Sequence, residues 1–141
     1  MKTTFLNGDK AFKERGLRHL ESRKADINVF MKADDLENTG ELGSFFDYGL
    51  HFDYVEIYGK KKNDYFRYQL SYGGPSDELR FYADGDIDYV FLDWFTGVGF
   101  SVTGEDWAEW LENWFKDCGL MNFHEEREKY DYYEILSSIE L

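Results

Sequence analysis

The chain of 141 residues has one cysteine, one proline and few basic residues. Its single cysteine, Cys118, excludes an internal disulfide and a zinc site built from cysteines. Because no proline- or serine-rich linker interrupts the sequence, residues 1–141 are expected to form a single domain. No stretch approaches 18 apolar residues and the first residues contain no apolar signal core. We therefore expect a protein without a membrane segment, located in the cytoplasm of a bacterial host.

Acidic residues dominate the charge, with 29 Asp and Glu against 16 Lys and Arg and a formal net charge of −13. Residues 1–30 contain seven basic and four acidic residues, whereas residues 31–141 contain nine basic and 25 acidic ones. The sequence thus predicts a basic N-terminal element, 1–30, and an acidic body, 31–141. Direct DNA binding by this body and attachment to an anionic membrane are both disfavoured. With 43% hydrophobic and 20% aromatic residues, the chain is too apolar for a disordered acidic tail.

The middle of the chain alternates apolar and polar residues in short runs that turn-forming residues separate. These runs are residues 50–58, 65–72, 79–83 and 87–95, and residues 99–102 would add a fifth. The second run places Phe66, Tyr68, Leu70 and Tyr72 on one face. Such spacing predicts an antiparallel sheet of four to five strands over about residues 50–102.

Helical spacing occurs on both sides of this region. Asp9 is expected to cap a helix over residues 9–24, and residues 27–32 are expected to form a short strand. A second helix follows Thr103, the predicted cap, and ends at Gly119 as a left-handed cap. Its apolar stripe comprises Trp107, Trp110, Leu111, Trp114, Phe115 and Cys118, so Cys118 should be buried. A third helix over residues 123–141 would bury Phe123, Tyr130, Tyr133 and Ile135 or Leu136. The predicted fold is α+β, with one N-terminal and two C-terminal helices packed on the sheet.

No motif indicates catalysis. The histidines His19, His51 and His124 lie on three different predicted elements and lack metal-binding spacing. The alternating acids of residues 84–88 lack the Gly and Glu that a calcium loop requires, so a hairpin turn with Asp86 and Asp88 pointing to solvent is expected. The sequence predicts no catalytic residue, no metal site and no cofactor.

Since no motif indicates chemistry, the acidic surface is the feature of the sequence that bears on function. Residues 63–141 contain 18 acidic and five basic residues. Like charges on neighbouring helical turns repel by a few tenths of a kcal/mol per pair, so folding alone does not favour them. One interpretation is that rigidly placed carboxylates imitate a nucleic-acid backbone and enter a groove of Lys and Arg. A merely solubilising surface is the alternative. The predicted partner-binding residues are Asp86, Asp88, Asp93, Trp94, Glu105, Asp106, Glu109 and Glu112.

Residues 68–82 (YQLSYGGPSDELRFY), followed by residues 92–95 (LDWF), resemble short uncharacterised proteins of mobile elements. In size, charge and aromatic-rich layout the whole chain resembles the small acidic anti-CRISPR and anti-restriction proteins of phages and plasmids that mimic DNA. This resemblance implies a non-enzymatic inhibitor whose partner is a basic nucleic-acid-binding protein, such as a defence nuclease complex.

Two other hypotheses stay open: an immunity protein or antitoxin that neutralises a cognate toxin, and a small carboxylate-based enzyme. The basic segment 10–24 would pack on the acidic body, join two copies as a homodimer, or contact guide RNA.

Overall fold

The computed structural model describes residues 1–57 and 63–139, which form an α+β fold with one antiparallel six-stranded sheet. The sheet has the order β1-β6-β5-β4-β3-β2. Its strands are β1 (Thr3–Asn7), β2 (His51–Val55), β3 (Tyr65–Ser71), β4 (Ser76–Tyr82), β5 (Ile87–Asp93) and β6 (Thr96–Ser101). The helices are α1 (Lys10–Lys32), α2 (Asp106–Asp117) and α3 (Phe123–Ile139), and a 3-10 turn spans Phe45–Asp47.

Strands β2 to β6 form the predicted meander, and its alternation decides which side chains are buried. Phe66, Tyr68 and Leu70 of β3 are buried on the side where the helices pack, as predicted, whereas Tyr72 lies beyond the end of the strand and is exposed. The opposite side, called the open face below, carries a row of charged residues in register across four strands. This row is Asp53, Arg67, Arg80 and Asp88.

Strand β1 corrects the prediction of four to five strands. It pairs with β6, far away in the sequence, and its Thr-Thr-Phe-Leu-Asn run has no clear alternation that could announce a strand. Glycines of β6 make the pairing possible, because a Cβ on Gly99 would lie 2.6 Å from the ring of Phe5. The ring of Phe5 therefore takes the place that a side chain on β6 would occupy.

Helix α1 extends further than expected and includes residues 27–32, which were wrongly predicted as a strand. Leu20, Ile27 and Phe30 are fully buried, and their spacing of seven and three residues continues one helical face. Asp9 caps the start as predicted, since its carboxylate accepts a hydrogen bond from the Phe12 N–H at 2.8 Å. Gly16 lets the helix approach the sheet, where a Cβ would lie 2.7 Å from Val98 Cγ1.

Helix α2 buries Trp107, Leu111 and Phe115 of the predicted stripe. Thr103 does not cap it; the Thr103 hydroxyl accepts a hydrogen bond from the Ile87 N–H at 2.9 Å and so ties the start of α2 to β5. Gly119 adopts the predicted left-handed conformation, with φ of +82°. The prediction that Cys118 is buried is wrong, because α2 ends at Asp117 and Cys118 lies exposed beyond its last turn.

Helix α3 packs on the sheet through Phe123, whose ring contacts the rings of Tyr54 and Phe66. Ile135 and Leu136 are exposed, contrary to the prediction, whereas the side chains of Tyr130 and Tyr133 lie outside the described residues. In the part of the chain that the structure describes, every helix is too short or too polar to cross a membrane.

Candidate protein-binding site

The basic N-terminal element packs on the acidic body and forms ion pairs with it. Arg15 pairs with Asp93 at 2.7 Å, and Lys24 pairs with Glu105 at 3.3 Å. Glu105 also accepts a hydrogen bond from the indole N–H of Trp107 at 3.0 Å. Two residues of the predicted binding surface, Asp93 and Glu105, are therefore already neutralised within the chain.

A third ion pair is buried and holds α1 on β4. Asp77 is 2% exposed, and the Arg23 guanidinium donates to both of its carboxylate oxygens at 2.8 and 3.1 Å. The hydroxyls of Tyr89 and Ser71 donate to the same carboxylate. Burial raises the pKa of the Asp77 carboxyl, but the hydrogen bonds from Arg23 and the two hydroxyls outweigh burial, so this pKa lies below its ordinary value. The cluster stabilises the fold and is not accessible to a partner.

Two linked segments at one end of the sheet, here called the acidic end, carry four exposed carboxylates: Asp84, Asp86, Asp106 and Glu109. Asp84 and Asp86 belong to the turn between β4 and β5, and Asp106 and Glu109 to the first turn of α2. The bond between Thr103 and Ile87 brings these two segments together. Among the described residues, none of the four carboxylates has a basic partner within ion-pair distance.

The prediction that Asp88 points to solvent is wrong, because its side chain is half-buried on the open face. It lies opposite Arg80 in the register of β4 and β5. Burial raises the pKa of the Asp88 carboxyl, and the neighbouring charge of Asp86 raises it further. The Asp88 carboxyl therefore keeps its proton to a higher pH than an exposed aspartate.

Asp88 lines a cavity of about 550 Å³ on the open face, called the open-face cavity. Its wall mixes carboxylates, cations and two tyrosine rings, among them Lys2, Tyr65, Arg80, Tyr82 and Asp86. Within the described ranges 1–57 and 63–139, no group of three or more histidine, cysteine or acidic side chains could hold a metal ion. Because charged groups of both signs and tyrosine rings line the cavity, its wall is suited to a polar organic group.

Trp94 lies at the opposite end of β5 from Asp86. The strand has seven residues, and at about 3.3 Å per residue its two ends are about 20 Å apart. Trp94 and Phe95 form a two-residue turn and are 88% and 91% exposed. Trp94 has φ of +55°, which is uncommon for a residue with a bulky side chain. Its exposure follows from this turn, whereas β5 itself is central and covered.

The predicted binding residues thus fall into three groups. Asp86, Asp106 and Glu109 are exposed on the two segments of the acidic end, and Asp88 lies beside Asp86 in the open-face cavity. Asp93 and Glu105 are paired with α1, and Glu112 is largely covered and lies 3.5 Å from Lys116. Trp94 is too far from the acidic end to join the same small contact.

The structure also exposes acids that were not among the eight predicted partner-binding residues. Asp84 shares its turn with Asp86, a proximity that the sequence already shows. The loop between α1 and β2 packs on α2 through Phe45, whose ring contacts the rings of Trp110 and Trp114. This loop adds five exposed acids: Asp34, Asp35, Glu37, Glu41 and Asp47. Only the folded chain brings the loop next to α2.

Comparison with known proteins finds no match. No family model, no curated protein and no solved structure matches this chain. The resemblance to anti-defence proteins therefore stays a prediction from the sequence.

Proposed function

We propose that this protein is a non-enzymatic inhibitor that presents its acidic end to the nucleic-acid-binding channel of a bacterial defence nuclease, in the cytoplasm of the host. One observation carries the proposal. Asp84, Asp86, Asp106 and Glu109 are exposed without a basic partner among the described residues, whereas Glu105, next to Asp106, and Asp93, at the far end of β5, are paired with α1.

The elements that bear these carboxylates suit them to enter a groove lined by Lys and Arg. A hairpin turn and a helix N-terminus are fixed by backbone hydrogen bonds, so binding orders little additional main chain. The formal net charge of −13 would steer the protein towards a cationic cleft and would disfavour nucleic acid as a competing partner. Such binding should weaken steeply with added salt, because it depends on charges that salt screens.

The test compares two triple charge-reversal variants that change the net charge equally. The first, D86K/D106K/E109K, alters the acidic end; the control, E14K/E21K/D117K, alters exposed acids on α1 and at the end of α2. Immobilised proteins are incubated with host lysate, with and without nuclease–guide complexes, and the captured nuclease is assayed for DNA cleavage. The first variant should lose at least about 100-fold in inhibition, since reversing close charge pairs costs several kcal/mol.

The proposal fails if both variants inhibit like the unaltered protein, or if inhibition does not depend on salt. Specific capture of a toxin that the acidic-end variant no longer binds would instead assign the chain as an immunity protein or antitoxin. Circular dichroism of both variants shows whether a loss of binding reflects a loss of fold.

A small carboxylate-based enzyme is a second candidate, because the open-face cavity holds Asp86 and Asp88 together and the pKa of Asp88 is raised. NMR shifts of Tyr65 and Tyr82 on addition of small polar metabolites, lost in D88N, would support this candidate. Turnover of such a metabolite by the unaltered protein and not by D88N would establish it in place of the inhibitor.

A further inference from the structure

A groove lined by apolar side chains, here called the apolar groove, lies beside the start of β2. One wall is formed by the 3-10 turn Phe45–Asp47 and the residues that lead into β2, and the other by the end of α2 and the residues after it. The volume of the groove is about 270 Å³. Three apolar residues of its walls are each more than half exposed: Phe46, Leu50 and Leu120.

Contacts between aromatic rings join the two walls and fix the shape of the groove. The centre of the Phe45 ring lies 4.9 Å from that of the Trp114 ring. The ring of Phe52 stacks on the ring of Phe115 at 4.1 Å. Because these contacts already exist in the free protein, a partner would meet a preformed groove and would order few additional side chains.

Among the described residues, none covers the apolar groove. Helix α3 begins at Phe123, whose ring contacts Phe66, and one turn later Arg127 pairs with Asp64. Asp64 precedes β3, whereas the groove reaches Tyr68 in the middle of that strand, so α3 leads away from the groove. A volume below the about 300–1,000 Å³ of small-molecule sites suits a side chain of another protein better than a whole ligand.

The charges around the apolar groove favour a cationic partner. The wall that leads into β2 belongs to residues 34–50, which contain five acidic residues and no Lys, Arg or His. All five acids are exposed, and none has a basic partner within ion-pair distance in the described ranges. The opposite wall is followed by Lys116, but Glu112 lies 3.5 Å from its ammonium group. A positively charged residue at the rim would therefore meet unneutralised carboxylates.

We infer that the apolar groove binds a segment of a partner protein in which an apolar side chain is flanked by Lys or Arg. The apolar side chain fills the groove, and the flanking cations meet the acids of residues 34–50. Exposed ion pairs contribute little each, so burial of the apolar side chain provides most of the affinity. A second copy of this chain is a poor occupant, because a net charge of −13 on each copy opposes association.

This inference is independent of the proposed inhibitor function. The apolar groove and the acidic end lie at opposite ends of α2, whose 12 residues span about 18 Å. Each surface can therefore be altered without changing the other. Peptide binding to the groove is measured without a nuclease, so failure of one proposal is distinguishable from failure of the other.

The test selects random twelve-residue peptides displayed on phage for binding to the immobilised protein, and then measures the selected peptides by fluorescence anisotropy. They should contain Leu, Phe, Met or Trp within two residues of Lys or Arg. The groove variant F46S/L50S should bind them at least about tenfold more weakly, since burial of one large apolar side chain contributes that much. The control V29S/L136S removes exposed apolar side chains from α1 and α3 and should bind them unchanged.

A second pair of variants tests the charges. E41Q/D47N removes two acids of residues 34–50, whereas E14Q/E21Q removes two exposed acids of α1 and changes the net charge equally. E41Q/D47N should bind the peptides about threefold more weakly and with a smaller dependence on salt than E14Q/E21Q. This pair keeps the inference falsifiable if F46S/L50S does not fold, because the substituted acids are all exposed.

The inference is overturned if no peptide is selected, or if the selected peptides carry no Lys or Arg. It is also overturned if they bind F46S/L50S as tightly as the unaltered protein, or if E41Q/D47N and E14Q/E21Q bind them alike. Sedimentation equilibrium distinguishes the other occupant. A dimer of the unaltered protein that F46S/L50S abolishes would assign the groove to a second copy instead.

Discussion

Replacing Arg23 by methionine tests whether the basic helix is held on the acidic body by its buried ion pair. R23M leaves Asp77 almost fully buried, with only the hydroxyls of Ser71 and Tyr89 as side-chain donors. Removing one partner of a buried ion pair typically costs about 3–5 kcal/mol, because the remaining charge keeps its desolvation penalty. For a urea m-value of about 2 kcal/mol/M, the midpoint of unfolding should fall by about 1.5–2.5 M.

The matched control is R67M, which breaks a pair of the same chemistry on the open face. Arg67 and Asp53 are joined by two hydrogen bonds of 2.9 and 2.6 Å, but their side chains are 30% and 28% exposed. Solvent can hydrate Asp53 once Arg67 is removed, so R67M should cost only about 0–1 kcal/mol. Equal shifts of the urea midpoint in R23M and R67M would refute the claim that breaking the Arg23–Asp77 pair costs more stability because Asp77 is buried.

The pH dependence gives a second, independent readout. In the unaltered protein the pKa of Asp77 lies below its ordinary value, so the stability that this group contributes is lost as the pH falls through that lowered pKa. In R23M burial is no longer outweighed, and we expect the pKa of Asp77 to rise above its value in the unfolded chain. The penalty of R23M should then be largest at pH 7 and shrink as the pH falls towards about 4, because the carboxyl becomes protonated. A penalty that is constant between pH 7 and pH 4 contradicts this explanation.

Two further substitutions test local geometry. G16A should lower the free energy of unfolding by about 1–3 kcal/mol, because the added Cβ would press on the buried Val98. This loss should outweigh the intrinsic preference of alanine for a helix, which is about 1 kcal/mol over glycine. A raised melting temperature of G16A would contradict the close approach of α1 to β6. W94N should leave the free energy of unfolding unchanged or raise it by up to about 1 kcal/mol, because asparagine tolerates the left-handed conformation of this exposed position. Urea unfolding measures the free energy of unfolding of W94N. A decrease of more than about 1 kcal/mol would mean that the indole of Trp94 packs on the fold.

Local patterns predicted the parts of the fold whose contacts are close in sequence. The meander from β2 to β6 follows from alternation and turn residues, and α2 follows from its apolar stripe and Gly119. Strand β1 and the second half of α1 were missed for a different reason. Strand β1 depends on its distant partner β6, which no local pattern indicates. In the second half of α1 the spacing of Leu20, Ile27 and Phe30 does continue one helical face, but the short apolar run of residues 27–32 is equally compatible with a strand, and the contact of Phe30 with Phe45 that fixes the helix is distant in sequence.

The candidate site was less predictable, because its properties depend on which acids the fold neutralises. Asp93 and Glu105 resemble Asp86 and Asp106 in their local sequence, yet only the first two meet a basic residue of α1. An ion pair between residues 78 positions apart, as for Arg15 and Asp93, leaves no trace in the composition of either segment. The sequence could therefore predict an acidic surface but not its unpaired part.

Local requirements of the fold explain most of the unpaired acids of the acidic end. Asp106 lies in the first turn of α2, where a negative charge stabilises the N-terminus of a helix, and Glu109 shares this position. The Asp84 carboxylate accepts a hydrogen bond from the Asp86 N–H at 2.9 Å and so supports its own turn. The Asp86 side chain has no such contact among the described residues, and it raises the pKa of Asp88 beside it. No contact of the fold among the described residues therefore requires an acid at Asp86, and this residue distinguishes the proposed partner from the fold most directly.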